Sequence, residues 1–555
     1  MVKKISISTI ITLLLFGLSY YVVYPTLSPI SVGFWSLMIE IVVIFAGVYG
    51  LLSVIMDKVS VVGVKTVSPV IKVCGIIIAL LIGVIIIGQI TSSKMFRSKT
   101  YANVLSIEES KFEDEIKETD KINDIALMDT DSASIIGNRA MGSLTNLVSQ
   151  FEVSNDYTQI DYNGKPMKVA PLEYAGFIKW FNNKSDGIPG YILVDPIDNT
   201  AKYIETDKEI RYSPSAYFNK NLYRHLQFKY PTKLFGNCYF EIDNDGAPYW
   251  ICSVLKHEAG LFGAESVKGC VVMNASTGEC DYYDIEDVPN WVDIVFDGDL
   301  LEEQYDWYGM LNGGFINSII GNKGCKVTTD DFGYKVMNGD VWIYTGITSV
   351  NGDQSNIGFI LANSRTGECK YFDVSGAEEH SAMSAAEGEV QNLGYKASFP
   401  SLINICGEPT YIMVLKDDGG LVKQYALVNT KKYNVVATAQ TQNEVLKNYR
   451  KLLRENNIIS NEEAKKDQNF EIIEIDKIEN IVIDGNTIVY IKSDTDEVFK
   501  QEFAENEKLV MLNEGDSIKV FFDEKGKDIT TITSYELYDD TSDGTQDSDN
   551  LTDNQ

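Results

Sequence analysis

Histidine is nearly missing. The 555 residues hold three, His225, His257 and His380, far apart and in no His-Glu-x-x-His or related pairing, which excludes a zinc site built on histidine. Eight cysteines give no Cys-x-x-Cys, so the zinc-ribbon and dithiol redox spacings are missing as well. Gly-x-Ser-x-Gly does not occur, and neither does a phosphate loop of either common type. A Cys/His pair in space, for instance His257 with a neighbouring cysteine, is selected by nothing in the sequence. Cations are scarce too: 48 Lys and Arg stand against 79 Asp and Glu, a net charge of −31. That balance argues against nucleic acid and against adhesion to anionic lipid.

Long apolar runs are present, and they are confined to the first 92 residues. Segments 5–24, 34–56 and 73–90 run for 20, 23 and 18 residues with one charge between them, Glu40. At about 1.5 Å per helical residue each can cross about 30 Å of hydrocarbon. Lys3 and Lys4 precede the first run as they would in a signal peptide, but Val22-Val23-Tyr24-Pro25 offers no small-residue cleavage site, so the run reads as a helix that stays. Lysines 58, 65 and 72 lie between the second and third runs. The positive-inside rule then places the N-terminus and that loop in the cytoplasm and everything after residue 90 outside. Lys94, Arg97 and Lys99 run against this orientation. Residues 1–99 carry +6, leaving −37 for the remainder. Within the second span Glu40 is a costly carboxylate of functional interest, and Ala46 and Gly50 would allow close helix approach.

Cys74 falls in the third span, and Cys238, Cys252, Cys270, Cys280, Cys325, Cys369 and Cys406 follow it. Seven is odd, so complete pairing is impossible, and buried small hydrophobes are the expected role.

Beyond the spans, 106–128 reads as a helix-like stretch that lifts the domain off the membrane, with Ile107, Phe112, Ile116, Ile122 and Ile125 as its apolar positions. A break at 129–134 and a short helix over 135–151 follow. Internal repetition comes next. Gly269-Cys-Val-Val-Met-Asn-Ala-Ser-Thr-Gly-Glu-Cys-Asp-Tyr-Tyr-Asp284 aligns without a gap to Gly358-Phe-Ile-Leu-Ala-Asn-Ser-Arg-Thr-Gly-Glu-Cys-Lys-Tyr-Phe-Asp373, and weaker copies stand at 190–204 and 424–436. Each copy has an upstream strand opening on a turn: Gly164-Lys-Pro166, Gly246-Ala-Pro248, Asn338-Gly339-Asp340 and Gly407-Glu-Pro409. The pattern predicts four meanders over 156–440, with helix-compatible stretches between them such as 300–311 and 377–393. The turns Thr277, Gly278, Glu279 and Thr366, Gly367, Glu368 are its signature.

A helix followed by strands, with an apolar residue and Asn-x-x-Thr-Gly-Glu before the last strand, resembles the PepSY-type domains of bacterial envelope proteins. That resemblance rests on about 15 residues per copy and implies an inhibitory or interaction module. A charged amphipathic helix over 442–466 closes the region. Strands at 470–475, 478–483, 487–491, 498–503 and 517–522 look like an OB-fold barrel; its acidity suits a protein partner better than a nucleic acid. The Asp-rich segment from 539 reads as a disordered tail. Asp243-Asn244-Asp245-Gly246 resembles half a calcium loop, but position 254, where the closing Glu belongs, is Val.

The expectation is an α-helical membrane anchor of three spans (1–92), a helical stalk (93–155), an α+β tandem-repeat domain (156–440), a helix (441–468), a small all-β C-terminal barrel (469–537) and the tail. Its function is that of a multi-pass envelope protein, non-catalytic, with no cofactor. Its partners are the lipid bilayer through residues 5–90 and a protein or cell-wall component. The alternatives are a carboxylate-using hydrolase and an accessory subunit of a transport or secretion complex.

Overall fold

The computed structural model describes residues 2–57, 69–119, 122, 125–329, 331–350, 355–459, 469–483, 485–522 and 525–538. The expected tail, Lys58 and Lys65 of the second loop, and the end of the charged helix lie outside the described residues. Two compact units emerge, 1–449 and 450–555.

Three helices, α1 (Val2–Val23), α2 (Val32–Asp57) and α3 (Pro69–Ser92), are long and apolar enough to cross a membrane. After a kink at Ser93 the chain continues as α4 (Lys94–Ala102). Lys94 lies over the rings of Tyr101 and Trp307. The stretch read as a helical stalk is not one. Its first part is a strand, β1 (Ile107–Ser110), then one helical turn, α5 (Phe112–Glu115), and only Thr130–Gly142 (α6) forms a longer helix, capped by Asp129, whose carboxylate accepts from Ser132 N. Phe112, Ile116 and Ile122 are buried, so this segment belongs to the body of the domain.

Four antiparallel meanders follow. After β2 (Phe151–Val153), the first consists of β3 (Thr158–Tyr162), β4 (Lys165–Tyr174), β5 (Ile188–Asp195) and β6 (Thr200–Ile210), with α7 (Phe177–Asn183) between β4 and β5. Helix α8 (Leu222–Lys229) leads to the second: β7 (Leu234–Ile242), β8 (Pro248–Ala259), β9 (Gly263–Asn274) and β10 (Cys280–Asp284). Helix α9 (Gly298–Leu311) precedes β11 (Lys326–Thr328) and the third: β12 (Gly333–Met337), β13 (Asp340–Ser349), β15 (Gly358–Asn363) and β16 (Cys369–Phe372). The outer strand β16 takes β1 alongside it in parallel, and a two-stranded ladder joins β14 (Ser355–Asn356) to β17 (Gly376–Ala377). Helix α10 (Glu379–Glu389) and β18 (Lys396–Ala397) introduce the fourth: β19 (Ser401–Ile405), β20 (Glu408–Lys416), β21 (Val422–Asn429) and β22 (Val436–Ala439).

Each sheet thus has four principal strands rather than the expected three. The Gly- or Asn-rich turn ahead of the apolar strand is a hairpin whose first arm (β3, β7, β12 or β19) lies on the inner side, where β3 approaches β7 and β12 approaches β19. Successive sheets share cores: Trp250 and Met273 with Ile192 and Tyr191, Ile251 and Val272 with Ile343 and Ile360, Phe359 and Phe372 with Tyr411 and Met413. The fourth returns to the first through the ion pair of Lys416 with Asp129 and through Ile135, which fills the space beside Gly420. Helix α11 (Gln442–Glu455) follows, with the Tyr449 hydroxyl 2.9 Å from Thr410 Oγ1.

The C-terminal unit is a half-barrel. One long strand, β23 (Asn469–Ile483), takes in both expected first strands. A bulge near residue 475 bends it, so that its first half pairs with β26 (Ser517–Phe522) and its second with β24 (Asn486–Ser493). β25 (Val498–Glu502), β27 (Thr530–Thr531) and β28 (Ser534–Leu537) complete the order β27-β25-β24-β23-β26-β28. Among the described residues the two ends do not pair, so the sheet curves around Ile491, Phe499 and Ile518 without closing.

Candidate functional site

The signature turns are structural latches. Asn274 Oδ1 accepts from Ser276 N and Thr277 N, Gly278 N donates to Asn274 O, and Thr277 Oγ1 accepts from Glu279 N. Asn363 repeats this with Arg365 N, Thr366 N, Gly367 N and Thr366 Oγ1 taking Glu368 N. Gly278 and Gly367 have φ of +78° and +76°, the left-handed region a hairpin of this length needs. The linker leaving the preceding sheet docks on the same turn: Arg211 N and Tyr212 N donate to Ala275 O, and Val295 N and Phe296 N donate to Ser364 O. The rings of Tyr212 and Phe296 lie where a Cβ on Gly278 or Gly367 would stand. In the fourth sheet Ala377 N donates to Thr430 O at the matching place. Asn, Gly and Thr are therefore explained by joining one sheet to the next.

Glu40 is likewise occupied. Ser19 Oγ on α1 donates to Glu40 Oε1 at 2.5 Å, a polar tie between the first two spans. Asp243 forms a hairpin turn, its Oδ1 accepting from Asp245 N and Ala247 N. Among the described residues no group of three or more His, Cys, Asp or Glu is placed to hold a metal. Cys238 and Cys252, opposite each other on β7 and β8, form a disulfide; Cys74, Cys270, Cys280, Cys325 and Cys369 are buried thiols, and Cys406 is half-buried.

Sequence reasoning missed two features because each is assembled from three sheets. The first is a knot of carboxylates. Glu241 on β7 is wholly buried and accepts from Asp293 N and Ile294 N at 2.8 Å each, while Asp293 Oδ2 accepts from Asp161 N at 3.0 Å. Burial pushes Glu241 up to about 8 against the pull of its two amide bonds; burial and the facing Glu241 hold Asp293 well above the carboxylate range. Asp340 nearby is satisfied by Arg365, Nε to Oδ1 at 2.7 Å.

The second is a cavity of about 470 Å³ lined by Tyr157, Glu173, Tyr223, Tyr239, Trp250 and Tyr334 among others. Tyr239 Oη donates to Asp297, which also accepts from Asn237 Nδ2 at 2.7 Å, and Trp250 Nε1 donates to Tyr212 O at 2.9 Å. Burial, with Asp156 and Glu152 adding to it, raises Glu173 against a hydrogen bond from Ser154. The walls thus combine flat aromatic faces, hydroxyls and carboxyls. Neither Glu241 nor Asp293 lines this cavity, so the buried carboxyl pair does not face it.

No family model matches the chain, and no curated protein does. A solved structure of a B. megaterium levansucrase mutant aligns over 78% of this chain and 96% of its own at 9% identity. Its TM-score of 0.17 carries no argument about fold or function.

Proposed function

We propose that the protein is a membrane-anchored envelope component with a non-catalytic binding role, its large domain outside the cytoplasm. The four meanders are read as copies of one helix-and-strand unit similar to PepSY-type modules, and the half-barrel as an OB-like adaptor. The observation that carries the binding role is the tyrosine- and tryptophan-lined cavity at the junction of the first three sheets. Rings with a polar edge bury area while hydrogen-bonding, which suits an extended peptide or glycan segment of a protein or wall partner. The Cys238–Cys252 disulfide supports an oxidising location.

A hydrolase needs a carboxyl pair that meets substrate. Glu241 and Asp293 hold backbone amides and lie outside the cavity, whereas Asp156 and Glu173 both line it, with Asp156 adding to the rise of Glu173, and this pair is what favours the hydrolase alternative. The transport or secretion reading makes the spans the working part, and Glu40, whose substitution would test it, accepts a hydrogen bond from Ser19.

The test uses the full chain in detergent, with tryptophan emission followed during titration with soluble wall glycopeptides and with peptides. A saturable change, weakened about 10-fold by Tyr223→Ala, is expected for loss of one aromatic contact worth about 1.4 kcal/mol. Hydrolysis of either ligand, abolished by substitutions in the domain, would sink the reading.

A further inference from the structure

The chain's overall charge hides a segregation. Between Glu209 and Glu241 there is no acid and there are five Lys or Arg; over 93–107, and again between Asp306 and Asp330, every charged residue is basic. All three stretches flank the places where the spans meet the domain. Arg224 Nε donates to Tyr21 O and its guanidinium covers the rings of Tyr21 and Tyr24 at the end of α1. Tyr21 Oη donates to Asn219, Phe228 packs on Tyr20 and Tyr21, and Leu27 N donates to Pro231 O. At the other exit Phe262 N donates to Ser92 Oγ, and α4 packs against α9.

Around both exits large apolar side chains are left bare. Next to Asn219, which Tyr21 engages, Phe218 and Tyr217 pack on Trp180 and Phe177 of α7, where Phe177, Ile178 and Phe181 are 47–71% exposed. Lys184 lies 3.8 Å over the Phe181 ring. Beyond α9, Ile316, Ile319 and Ile320 are 62–81% exposed in the turn near Lys323, and Met95 and Phe96 of α4 are about as bare. Among the described residues Lys220, Arg224, Lys229 and Lys233 make no ion pair with a carboxylate; Lys220 donates to Tyr212 Oη, Lys229 donates to Cys280 O and Lys233 lies over the Tyr282 ring, contacts that leave their charge unneutralised.

We propose that the domain rests on the membrane that its spans cross: α7 and the turn at 315–321 sink into the bilayer interface, and the acid-free segment 211–233 takes the headgroups of anionic phospholipids. Bare aromatic and branched residues next to cations that no carboxylate neutralises, continuous with the spans, are the chemistry of an interfacial anchor. The proposal holds for either leaflet and so does not depend on the orientation argued above.

The experiment places the full chain in nanodiscs of phosphatidylcholine with and without phosphatidylglycerol. An environment-sensitive fluorophore is attached at Ile178→Cys or Ile320→Cys, and the unsubstituted chain taken through the same labelling supplies the background. Blue-shifted emission and quenching by lipids spin-labelled near the headgroup are expected at both positions. Quenching should increase with phosphatidylglycerol and lose that increase when Lys220, Lys229 and Lys233 become Gln. Raising the salt on the unmodified lysines should remove the same increase, a control that needs no further variant. Water-like emission at both positions, or quenching indifferent to phosphatidylglycerol, would overturn the proposal; protection seen only in cells and not in nanodiscs would overturn it in favour of a protein partner.

Discussion

Asn274 and Asn363 each hold two backbone amides on one side-chain oxygen, and the glycine four residues on turns the chain back with positive φ while an aromatic ring from the linker fills the space above it. The sequence showed the spacing of this motif but not its purpose, because Tyr212 and Phe296 lie 66 and 71 residues before the glycines they cover. Gly278→Ala therefore meets two penalties, about 1 kcal/mol for the left-handed backbone and about 1–3 kcal/mol for displacing the Tyr212 ring. Gly394→Ala, also at positive φ but with open space around it, should lose only the first. Denaturant midpoints of the two variants should differ in that order, and equal losses would remove the latch. The carboxyl knot makes a pH statement. Burial raises Glu241 and Glu302 to about 8 and Glu379 to about 6. From about pH 4.5 to 8 the folded chain thus keeps protons that the unfolded chain has released, and stability falls as pH rises through that window. Asp293 is itself held well above the carboxylate range, so Asp293→Asn removes one of the groups that keep a proton only in the fold and should flatten the fall. Thermal melts from pH 5 to 8 that rise, or that keep the same slope in the variant, would contradict this.

Strands β8, β9, β13, β15, β20 and β21 were legible because a run of apolar residues between turn signals survives burial on both faces. Their inner partners were not. Leu234–Ile242 and Gly333–Met337 are mixed in polarity and become strands by pairing with the apolar arm beside them. The supposed stalk failed for a related reason. Ile107, Phe112 and Ile116 fall near a helical spacing, yet Ile107 pairs with Cys369 across a parallel ladder 262 residues away, which no local pattern reports. Two elements carry expected outcomes. Asp129 caps α6 and pairs with Lys416, and although burial pushes its carboxyl up, the bonds from Lys416 and Ser132 hold it below its usual value. Asp129→Ala loses the cap, about 1 kcal/mol, and leaves the largely buried Lys416 ammonium unpaired, so a total near 3 kcal/mol is expected from urea melts. A loss under about 1 kcal/mol would mean that the first and fourth sheets do not depend on this tie. The disulfide spans 14 residues, and on a chain-entropy account should contribute about 3 kcal/mol, checked by comparing oxidised and reduced midpoints.

At the scale of the molecule the three spans were plain from hydropathy, and the contacts at their ends add a constraint that hydropathy lacks. The connection between α1 and α2 touches the domain through Leu27 and Thr26, and the end of α3 touches it through Gly88 and Ser92. In a bilayer crossed by α1, α2 and α3 both contacts would fall on the domain's side and the start of α1 on the other. Of the cations that follow α3, at odds with the positive-inside count, Lys94 is spread over Tyr101 and Trp307, and Arg97 Nε reaches back to Thr91 O at the end of α3. Reactive positions at Ser31→Cys and at Tyr433→Cys in the fourth sheet should accordingly be labelled together by a membrane-impermeant maleimide, both in intact cells if the domain is outside, both only after permeabilisation if it is inside. A cysteine replacing Lys3 should behave in the opposite way. Should Ser31→Cys and Tyr433→Cys separate, one span does not cross, and the hydrogen bonds joining Tyr21, Thr26 and Leu27 to the domain could not form in the membrane-bound protein.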